Sequence, residues 1–325
     1  MLTLHQLEIT IEAVTPLALD AYGGSALRGA FFHALWYRFC TNHEAKTCYE
    51  CPLNAACPVS SLVAPLRDEA PRGHDLPRPY IITSSYHEKK QFEPGETYTF
   101  NFTLIGNATK LYPYVIRTFQ EMERNTLGHP LQQLRGKRGS FLIRKIDEVH
   151  SFTNERIRLW QPGTTQPGKL HLSISQNDVR EKAKHLPHDT LILNFLSPTR
   201  LIQNAQVLQQ PSLDVLALRM AQRLEQIHQE YGSSDTENVC FGREWYLSVK
   251  EQAQEVHLKR NETKWVDIHS YSSRQHRDMP IGGFVGRALF VGPVTPLREL
   301  LVWGELLRVG KNIVKGAGMY KIETE

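Results

Sequence analysis

The chain has 325 residues, of which 41% are hydrophobic and 22% charged, values typical of a globular protein long enough for two domains. Its formal net charge is only +4, which excludes a uniformly cationic protein and does not by itself identify a partner. The N-terminal stretch MLTLHQLEITIEAV alternates apolar and polar residues and lacks the continuous apolar core of a signal peptide. No apolar run is long enough to span a bilayer, so the sequence predicts a cytoplasmic protein.

Two segments of the chain share one order of predicted elements. A β-rich run, a Ser/Thr-Pro break and an amphipathic helix occur from Leu7, with the helix over 25–39, and again from Leu191, with the helix over 212–231. Pro/Gly-rich stretches lie between them, at 161–170 and at 186–187. The repeat predicts two related domains, 1–187 and 188–325.

The remaining elements complete the same plan in each half. In the first half, YIITSSYH and GETYTFNFTLIG are predicted strands, followed by a helix over 108–125 and the strand GSFLIRKIDEV. In the second half, EWYLSV, EVHLKR and GGFVGRALFVG are strand-like, a helix begins at an N-cap Thr295 and ends at Gly310, and GMYKIE is the last strand. Each half approximates β-α-β-β-α-β, so the predicted fold class is α+β with tandem ferredoxin-like (RRM-like) domains. Sheets of this kind are a common platform for single-stranded RNA.

Four of the five cysteines lie within 18 residues, in the first domain, with the spacing C-x7-C-x2-C-x5-C: Cys40, Cys48, Cys51 and Cys57. In a cytoplasmic protein, clustered cysteines indicate a metal and not disulfides. Four thiolates satisfy the ligand count of a structural zinc site. The segment CYECPLNAAC also resembles the CxxCPLxxxC part of the [4Fe–4S] loop of certain DNA-repair glycosylases, although one gap of the whole four-cysteine spacing is a residue longer here than in that loop. Zinc is therefore the first prediction and a [4Fe–4S] cluster the alternative, and either would be structural, with no catalytic metal.

The stretch VGKNIVKGAGMYKIE places three glycines and two lysines between the last predicted helix and the last strand. A P-loop would have the order strand, loop, helix and a Lys-Ser/Thr pair, so the sequence argues against that kind of nucleotide site. Glycines leave successive backbone amides open to form an anion-binding concavity, to which Lys311 and Lys315 would add charge. A tight turn that needs glycine for its dihedral angles alone is the alternative.

Three motifs occur in order near the C-terminus, formed by Tyr271, Ser272, Arg274 and Gln275, then Gly283 and Gly286, then Gly310, Gly316 and Gly318. Together they resemble the C-terminal signature of the precursor-CRISPR-RNA-processing endoribonucleases of the RAMP superfamily. The position before Tyr271, often basic in that family, is Ser270 here. The resemblance implies metal-independent cleavage of CRISPR repeat RNA by the ribose 2′-OH, which leaves a 2′,3′-cyclic phosphate and a 5′-hydroxyl end.

The resemblance also implies a catalytic histidine in or just after the first helix, where His33 and His43 fall. On a helical wheel His33 lies away from the apolar face, one turn after Gly29, and Tyr37 is a weaker candidate partner. Histidine suits proton transfer because its pKa lies near neutrality. Two alternatives stay open: His33 packs against the second domain, or His43 is a spectator or a spare metal ligand. Other members of the superfamily have no catalytic histidine.

The predicted RNA-binding residues are cations and glycines. The segment LRGKRGS is typical of a basic hairpin or loop that could enter an RNA groove, within a stretch, 110–145, that has eight Lys/Arg against two Asp/Glu. The full set is Arg28, Arg135, Lys137, Arg138, Arg274, Lys311, Lys315, Gly316 and Gly318.

The predicted partner is CRISPR repeat RNA in its precursor transcript, with subunits of a CRISPR effector complex as further candidates. Two other functions remain open. One is a non-catalytic RAMP subunit that binds guide RNA within an effector complex. The other, suggested by the cysteine spacing alone, is a zinc or iron–sulfur protein that acts on DNA.

Overall fold

The computed structural model of the protein describes residues 2–65, 76–84, 91–233, 241–272 and 277–324. These residues form two compact units. The first unit comprises 2–174 and 231–233, and the second comprises the other described residues from 175 onward. No helix within the described ranges is long and apolar enough to cross a membrane.

The first unit is built on one antiparallel sheet whose strand order is β3-β5-β1-β8-β9, with β10 paired to β1. In chain order β1, α1, β3, β5, α3 and β8 give the predicted β-α-β-β-α-β plan, with the first strand between the third and the fourth. The elements are β1 (Leu4–Ala13), β2 (Leu17–Ala18), α1 (Gly24–Phe39), α2 (Pro58–Val63), β3 (Tyr80–Ser84), β4 (Gln91–Phe92), β5 (Thr97–Ile105), α3 (Tyr112–Met122), β6 (Leu127–Leu131), β7 (Lys137–Gly139), β8 (Phe141–Val149), β9 (Arg156–Trp160) and β10 (Ser173–Ile174).

The core of the first unit lies between this sheet and α1 and α3. Phe31 of α1 is fully buried, and its ring centroid lies 5.1–5.5 Å from those of Tyr80, Phe102 and Phe119. Burial of one such side chain contributes about 2 kcal/mol, and ring pairs at this distance add to that. This contact fixes which face of α1 points away from the core.

The second unit repeats the plan with the sheet order β14-β17-β11-β18, in which the first strand, β11, again lies between the third and the fourth. Its elements are α4 (Gln176–Lys184), β11 (Thr190–Thr199), β12 (Ile202–Gln203), β13 (Gln206–Val207), α5 (Leu213–Tyr231), α6 (Arg243–Gln254), β14 (His257–Val266), β15 (His269–Ser272), β16 (Arg277–Pro280), β17 (Gly283–Val291), α7 (Arg298–Leu307) and β18 (Tyr320–Glu323).

Helix α4 belongs to the second unit, whereas the sequence interpretation placed it in a first domain that ended at 187. A capping box between Ser175 and Asp178 starts the helix. Its side chains then contact α7, where Lys182 Nζ lies 2.9 Å from the Glu305 carboxylate. Helix α4 is therefore the first helix of the second unit.

One predicted strand is wrong. EWYLSV lies in the helix α6, in which Val249 and Ala253 are buried one turn apart. The Tyr246 hydroxyl also donates a short hydrogen bond to Glu225 on α5. The aromatic residues gave the segment a strand-like composition, but burial at helical spacing decides the structure.

The last helix is shorter than predicted. Thr295 opens a turn of 3₁₀ helix, Thr295–Leu297, and α7 begins only at Arg298. The helix ends at Leu307, and its C-cap Arg308 has φ 67°, so the helix stops before Gly310.

Candidate functional site

One face of α1 is open and carries three residues one helical turn apart, namely Gly29, His33 and Tyr37, here called the open face of α1. His33 is exposed, and the Tyr37 side chain is 68% exposed. A Cβ added at Gly29 would meet nothing else in the described chain within 4 Å. The predicted position of His33 away from the core is therefore confirmed, and there is room beside it for a ligand backbone.

The two candidate histidines differ in their surroundings. His33 touches the ring edge of Phe32, with centroids 5.6 Å apart, and has no hydrogen-bond or ion-pair partner among the described residues. His43 is exposed, and its ring packs edge-on against Trp36 with centroids 4.2 Å apart. The ring of His33 is thus available at the surface, whereas that of His43 is held by an aromatic neighbour.

Arg28 precedes the open face but points into the first unit. Its Nε is buried, and its guanidinium lies next to the fully buried Tyr80. Burial raises the pKa of the Tyr80 hydroxyl, and the positive charge of Arg28 acts in the opposite direction. Arg28 therefore lies beside this buried phenol, which sequence reasoning did not foresee, and its predicted RNA contact stays a prediction.

A hairpin made of β6 and β7 carries the three cations predicted for RNA, Arg135, Lys137 and Arg138, and is here called the basic hairpin. All three side chains are exposed. Within the described part of the chain none of them has a hydrogen-bond or ion-pair partner. Because unpaired cations on one ribbon attract a polyanion, the structure supports the predicted hairpin and its charge pattern.

The base of the basic hairpin is fixed by two close backbone contacts. A Cβ on Gly128 would lie 2.0 Å from the carbonyl oxygen of Ala18, and one on Gly139 would lie 2.4 Å from that of Pro16. No larger residue fits at either position. The hairpin therefore presents its charges from a rigid base.

The glycines of the C-terminal loop are required by the conformation of its backbone. Gly310, Gly316 and Gly318 have φ values of 93°, 84° and 75°, and a Cβ on Gly318 would lie 1.9 Å from the Val309 carbonyl oxygen. The N–H of Gly316 donates to Ile313 and that of Gly318 to Pro198. These two amides are thus used within the second unit and do not form the predicted anion-binding concavity, and both glycines are buried.

A cluster of two cations and an indole lies beside this loop, formed by Arg200, Trp265 and Lys311 and here called the loop cluster. The Lys311 N–H donates to the Arg200 carbonyl over 3.1 Å, and the exposed Lys311 side chain lies at the surface. The Arg200 guanidinium carbon lies 5.8 Å from the centroid of the Trp265 ring. Arg200 and Trp265 are 65 positions apart in sequence, and sequence reasoning missed both because only the sheet brings them together.

The remaining residues of the C-terminal motifs are two glycines of β17 and the Tyr-Ser-x-Arg-Gln stretch, which the structure describes only in part. A Cβ on Gly283 would lie 2.4 Å from the Thr199 carbonyl oxygen, and Gly286 has φ 112° and would meet Glu262. Both glycines therefore let β17 pack closely on its neighbours. Tyr271 and Ser272 lie in β15, and Arg274 and Gln275 lie outside the described residues, so the predicted RNA contact of Arg274 stays a prediction.

The four clustered cysteines have free, half-buried thiols: Cys40, Cys48, Cys51 and Cys57. Burial raises the pKa of the Cys48 thiol, and the charges of Cys57, Cys40 and Cys51 raise it further. The thiols therefore lie within electrostatic reach of one another. In the part of the chain that the structure describes, no three Cys, His, Asp or Glu side chains are arranged to ligate one ion.

Two family models match this chain. The AF_1859 N-terminal domain model matches residues 2–172, and the model of the CRISPR-associated endoribonuclease Cas6 matches residues 193–320. The second half of the chain is therefore similar to Cas6. The resemblance seen in its C-terminal motifs is thereby confirmed, since the Cas6 match contains the glycine-rich loop. No curated protein matches the chain significantly.

Solved Cas6 structures share the fold over the whole chain. The Cas6 (TTHB231) product complex has a TM-score of 0.56 at 14% identity, with 99% of each chain covered. The structure of Thermus thermophilus Cas6 (TTHB231) has a TM-score of 0.53 at 13% identity, with 99% of each chain covered. A chain of a partial Cas6-RT-Cas1–Cas2 complex has a TM-score of 0.59 at 13% identity, and the match covers 100% of the present chain and 46% of that one. These matches confirm the α+β fold with tandem ferredoxin-like units.

Proposed function

We propose that this chain is a Cas6-type, metal-independent endoribonuclease that cleaves CRISPR repeat RNA in precursor transcripts. The observation that carries the proposal is the Cas6 match over 193–320. The open face of α1 supports it, because an exposed histidine with free space beside it meets the first need of a proton-transfer site.

The proposed reaction has one nucleophile that belongs to the RNA. The ribose 2′-oxygen attacks the adjacent phosphorus, the bond from phosphorus to the 5′-oxygen breaks, and a 2′,3′-cyclic phosphate and a 5′-hydroxyl result. A base removes the 2′-OH proton, and an acid supplies a proton to the leaving oxygen. An internal nucleophile needs correct alignment above all, so the protein must mainly hold the backbone in line.

His33 is the proposed proton-transfer residue. It is exposed on a rigid helix, and Tyr37 lies one turn further along the same face with most of its side chain in solvent. His43, fixed against Trp36, is the second choice. Cations would stabilise the negative charge that develops on the phosphorane.

Each unit offers its own cations to the RNA backbone. The basic hairpin supplies three exposed charges in the first unit, and the loop cluster supplies Lys311 and Arg200 in the second. The Arg200–Trp265 pair also has the flat faces on which unpaired bases stack. Such contacts position the RNA without reading its sequence.

A second candidate function is a non-catalytic RAMP subunit that binds guide RNA in an effector complex. One observation favours it. A general base is usually oriented by a further group, and His33 has no hydrogen-bond partner among the described residues.

Cleavage of repeat RNA in the presence of EDTA separates these functions. We expect a cut at one site, ends that carry a 2′,3′-cyclic phosphate and a 5′-hydroxyl, and no cut when the nucleotide upstream of the bond lacks its 2′-OH. Tight RNA binding without a cut would support the non-catalytic subunit. A preference for duplex DNA over repeat RNA would support neither.

A further inference from the structure

We propose that the loop between α1 and α2 binds a metal centre through four thiolates: Cys40, Cys48, Cys51 and Cys57. The ligand is a thiophilic metal, either one zinc ion or an iron–sulfur cluster. The centre is structural, and its detection is independent of any RNA cleavage.

The loop has no apolar core of its own. No residue from 41 to 57 is buried, and its two largest apolar side chains, Tyr49 and Leu53, are 48% and 49% exposed. Apart from a single turn of 3₁₀ helix, Asn54–Ala56, the segment is irregular. Connections longer than about 12–15 residues are uncommon in compact domains without a functional reason. Something other than hydrophobic burial must therefore order this loop.

The thiols occupy the inner positions of the loop. Its half-buried residues recur at every third position, and the residues between them are exposed. One of these inner residues, Asn42, donates from Nδ2 to the Cys51 sulfur over 3.5 Å. The inner positions are Asn42, Ala45, Cys48, Cys51, Asn54 and Cys57. Cysteines thus stand where a domain of ordinary composition would place apolar residues.

The backbone supplies two pairs of ligands. Cys40 is the C-cap of α1 and Cys57 the N-cap of α2, so the outer pair is attached to helix ends. The inner pair lies in a turn in which the Cys51 N–H donates to the Cys48 carbonyl over 3.3 Å. Two anchored cysteines and a Cys-x2-Cys turn form the arrangement that a closed tetrahedral thiolate site uses.

Metal binding would draw the loop together. No three of the thiols are arranged for one ion as they stand, so the ion would supply the contacts that the loop otherwise lacks. For zinc, one Zn²⁺ ion and four thiols form a tetrathiolate complex with net charge −2 and release four protons. Metal binding and local folding are then one process.

Metal analysis of the full-length chain, purified without added metal or chelator and under exclusion of oxygen, tests the proposal. We expect either about one zinc per chain and no visible colour, or iron with acid-labile sulfide and a broad band near about 400 nm. Metal should be lost from Cys48→Ser and from Cys51→Ser, and kept by Cys240→Ser, which removes the one cysteine outside the loop.

Two measurements on the unaltered chain keep the test decisive if a serine variant fails to fold. Removal of the metal should expose four additional reactive thiols and make the segment 41–57 sensitive to limited proteolysis, and Zn²⁺ should reverse both changes. A wild-type chain that is free of metal, has all its thiols reactive and does not respond to Zn²⁺ would overturn the proposal. Full metal content in Cys48→Ser would overturn the ligand assignment.

Discussion

His33 lies at the surface because its neighbours on α1 are held in the core. Phe31 is fixed among three aromatic rings and Leu35 is fully buried, so a residue two positions after Phe31 points to solvent. Helical periodicity alone predicts this placement. Periodicity does not identify a residue that would orient the imidazole, and no described residue forms a hydrogen bond with it.

Replacement of His33 by alanine tests the catalytic role. If His33 transfers a proton in the reaction, His33→Ala should lower the single-turnover cleavage rate by roughly 10²–10⁴-fold and leave the dissociation constant for uncleaved RNA within about threefold. His185→Ala is the control, since His185 is also a surface histidine, 76% exposed, at the C-cap of α4 in the second unit. A fall in rate smaller than about threefold would remove His33 from the mechanism.

Gly318 shows how a single atom can decide the path of the C-terminal loop. Gly318→Ala adds a Cβ 1.9 Å from the Val309 carbonyl oxygen at a residue with φ 75°. We expect a loss of about 3 kcal/mol or more in the free energy of unfolding, because the dihedral cost and a steric clash act together. Denaturant unfolding followed by circular dichroism measures it.

Gly163→Ala separates the two causes. Gly163 has φ 88°, and a Cβ there meets nothing within 4 Å, so only the dihedral cost of about 1–2 kcal/mol applies. Equal losses in the free energy of unfolding of the two variants would show that the close contact at Gly318 does not contribute to the cost of its replacement.

Among the helices and strands, the sequence predicts those that show a hydrophobic periodicity within their own residues. In strand β1 every second residue from Leu7 to Ala13 is buried, and α1 buries residues at helical spacing, so both follow from periodicity. Helix α6 does not, because the hydroxyl of its Tyr246 donates to Glu225 on α5, 21 residues earlier. The loop cluster was likewise hidden, since Arg200 and Trp265 meet only through sheet pairing.

The basic hairpin is an element whose charge can be removed without loss of its fold. The glycines at its base, not its charged tip, fix its position. The triple variant Arg135→Gln, Lys137→Gln, Arg138→Gln should therefore bind repeat RNA about tenfold or more weakly at low salt. If each cation neutralises one phosphate, the slope of log K against log salt should fall by about 2. Fluorescence anisotropy over a salt series measures both.

A charge-matched variant controls for the general loss of positive charge. Lys110→Gln, Arg124→Gln, Lys169→Gln removes three other exposed cations from the same unit. The decrease in the logarithm of its RNA affinity should be less than half of that for the hairpin triple variant, because these three cations do not lie on one hairpin. Equal losses in the two triple variants would mean that the hairpin has no special role.

For the whole molecule, the small net charge of +4 conceals separate cationic surfaces on two units of like fold. Because these surfaces are local, neither the net charge nor the length of the chain alone indicates the proposed RNA partner. A protein that holds a backbone in line needs several fixed contacts, and each unit here carries cations on a rigid base. If one RNA contacts both units, cations of either unit should affect its binding.

Lys311→Ala in the second unit, alone and combined with the hairpin triple variant, tests this. We expect Lys311→Ala alone to weaken repeat RNA binding about fivefold, which is about 1 kcal/mol and in the range of one typical net hydrogen bond. Because independent contacts add in free energy, the combined variant should show the product of the two factors, measured by anisotropy at one salt concentration. Lys184→Ala, which removes a lysine paired with Glu181 on α4, should leave binding unchanged. Full wild-type affinity in Lys311→Ala would mean that the glycine-rich loop turns the chain without touching the RNA, and that the first unit alone provides the contacts.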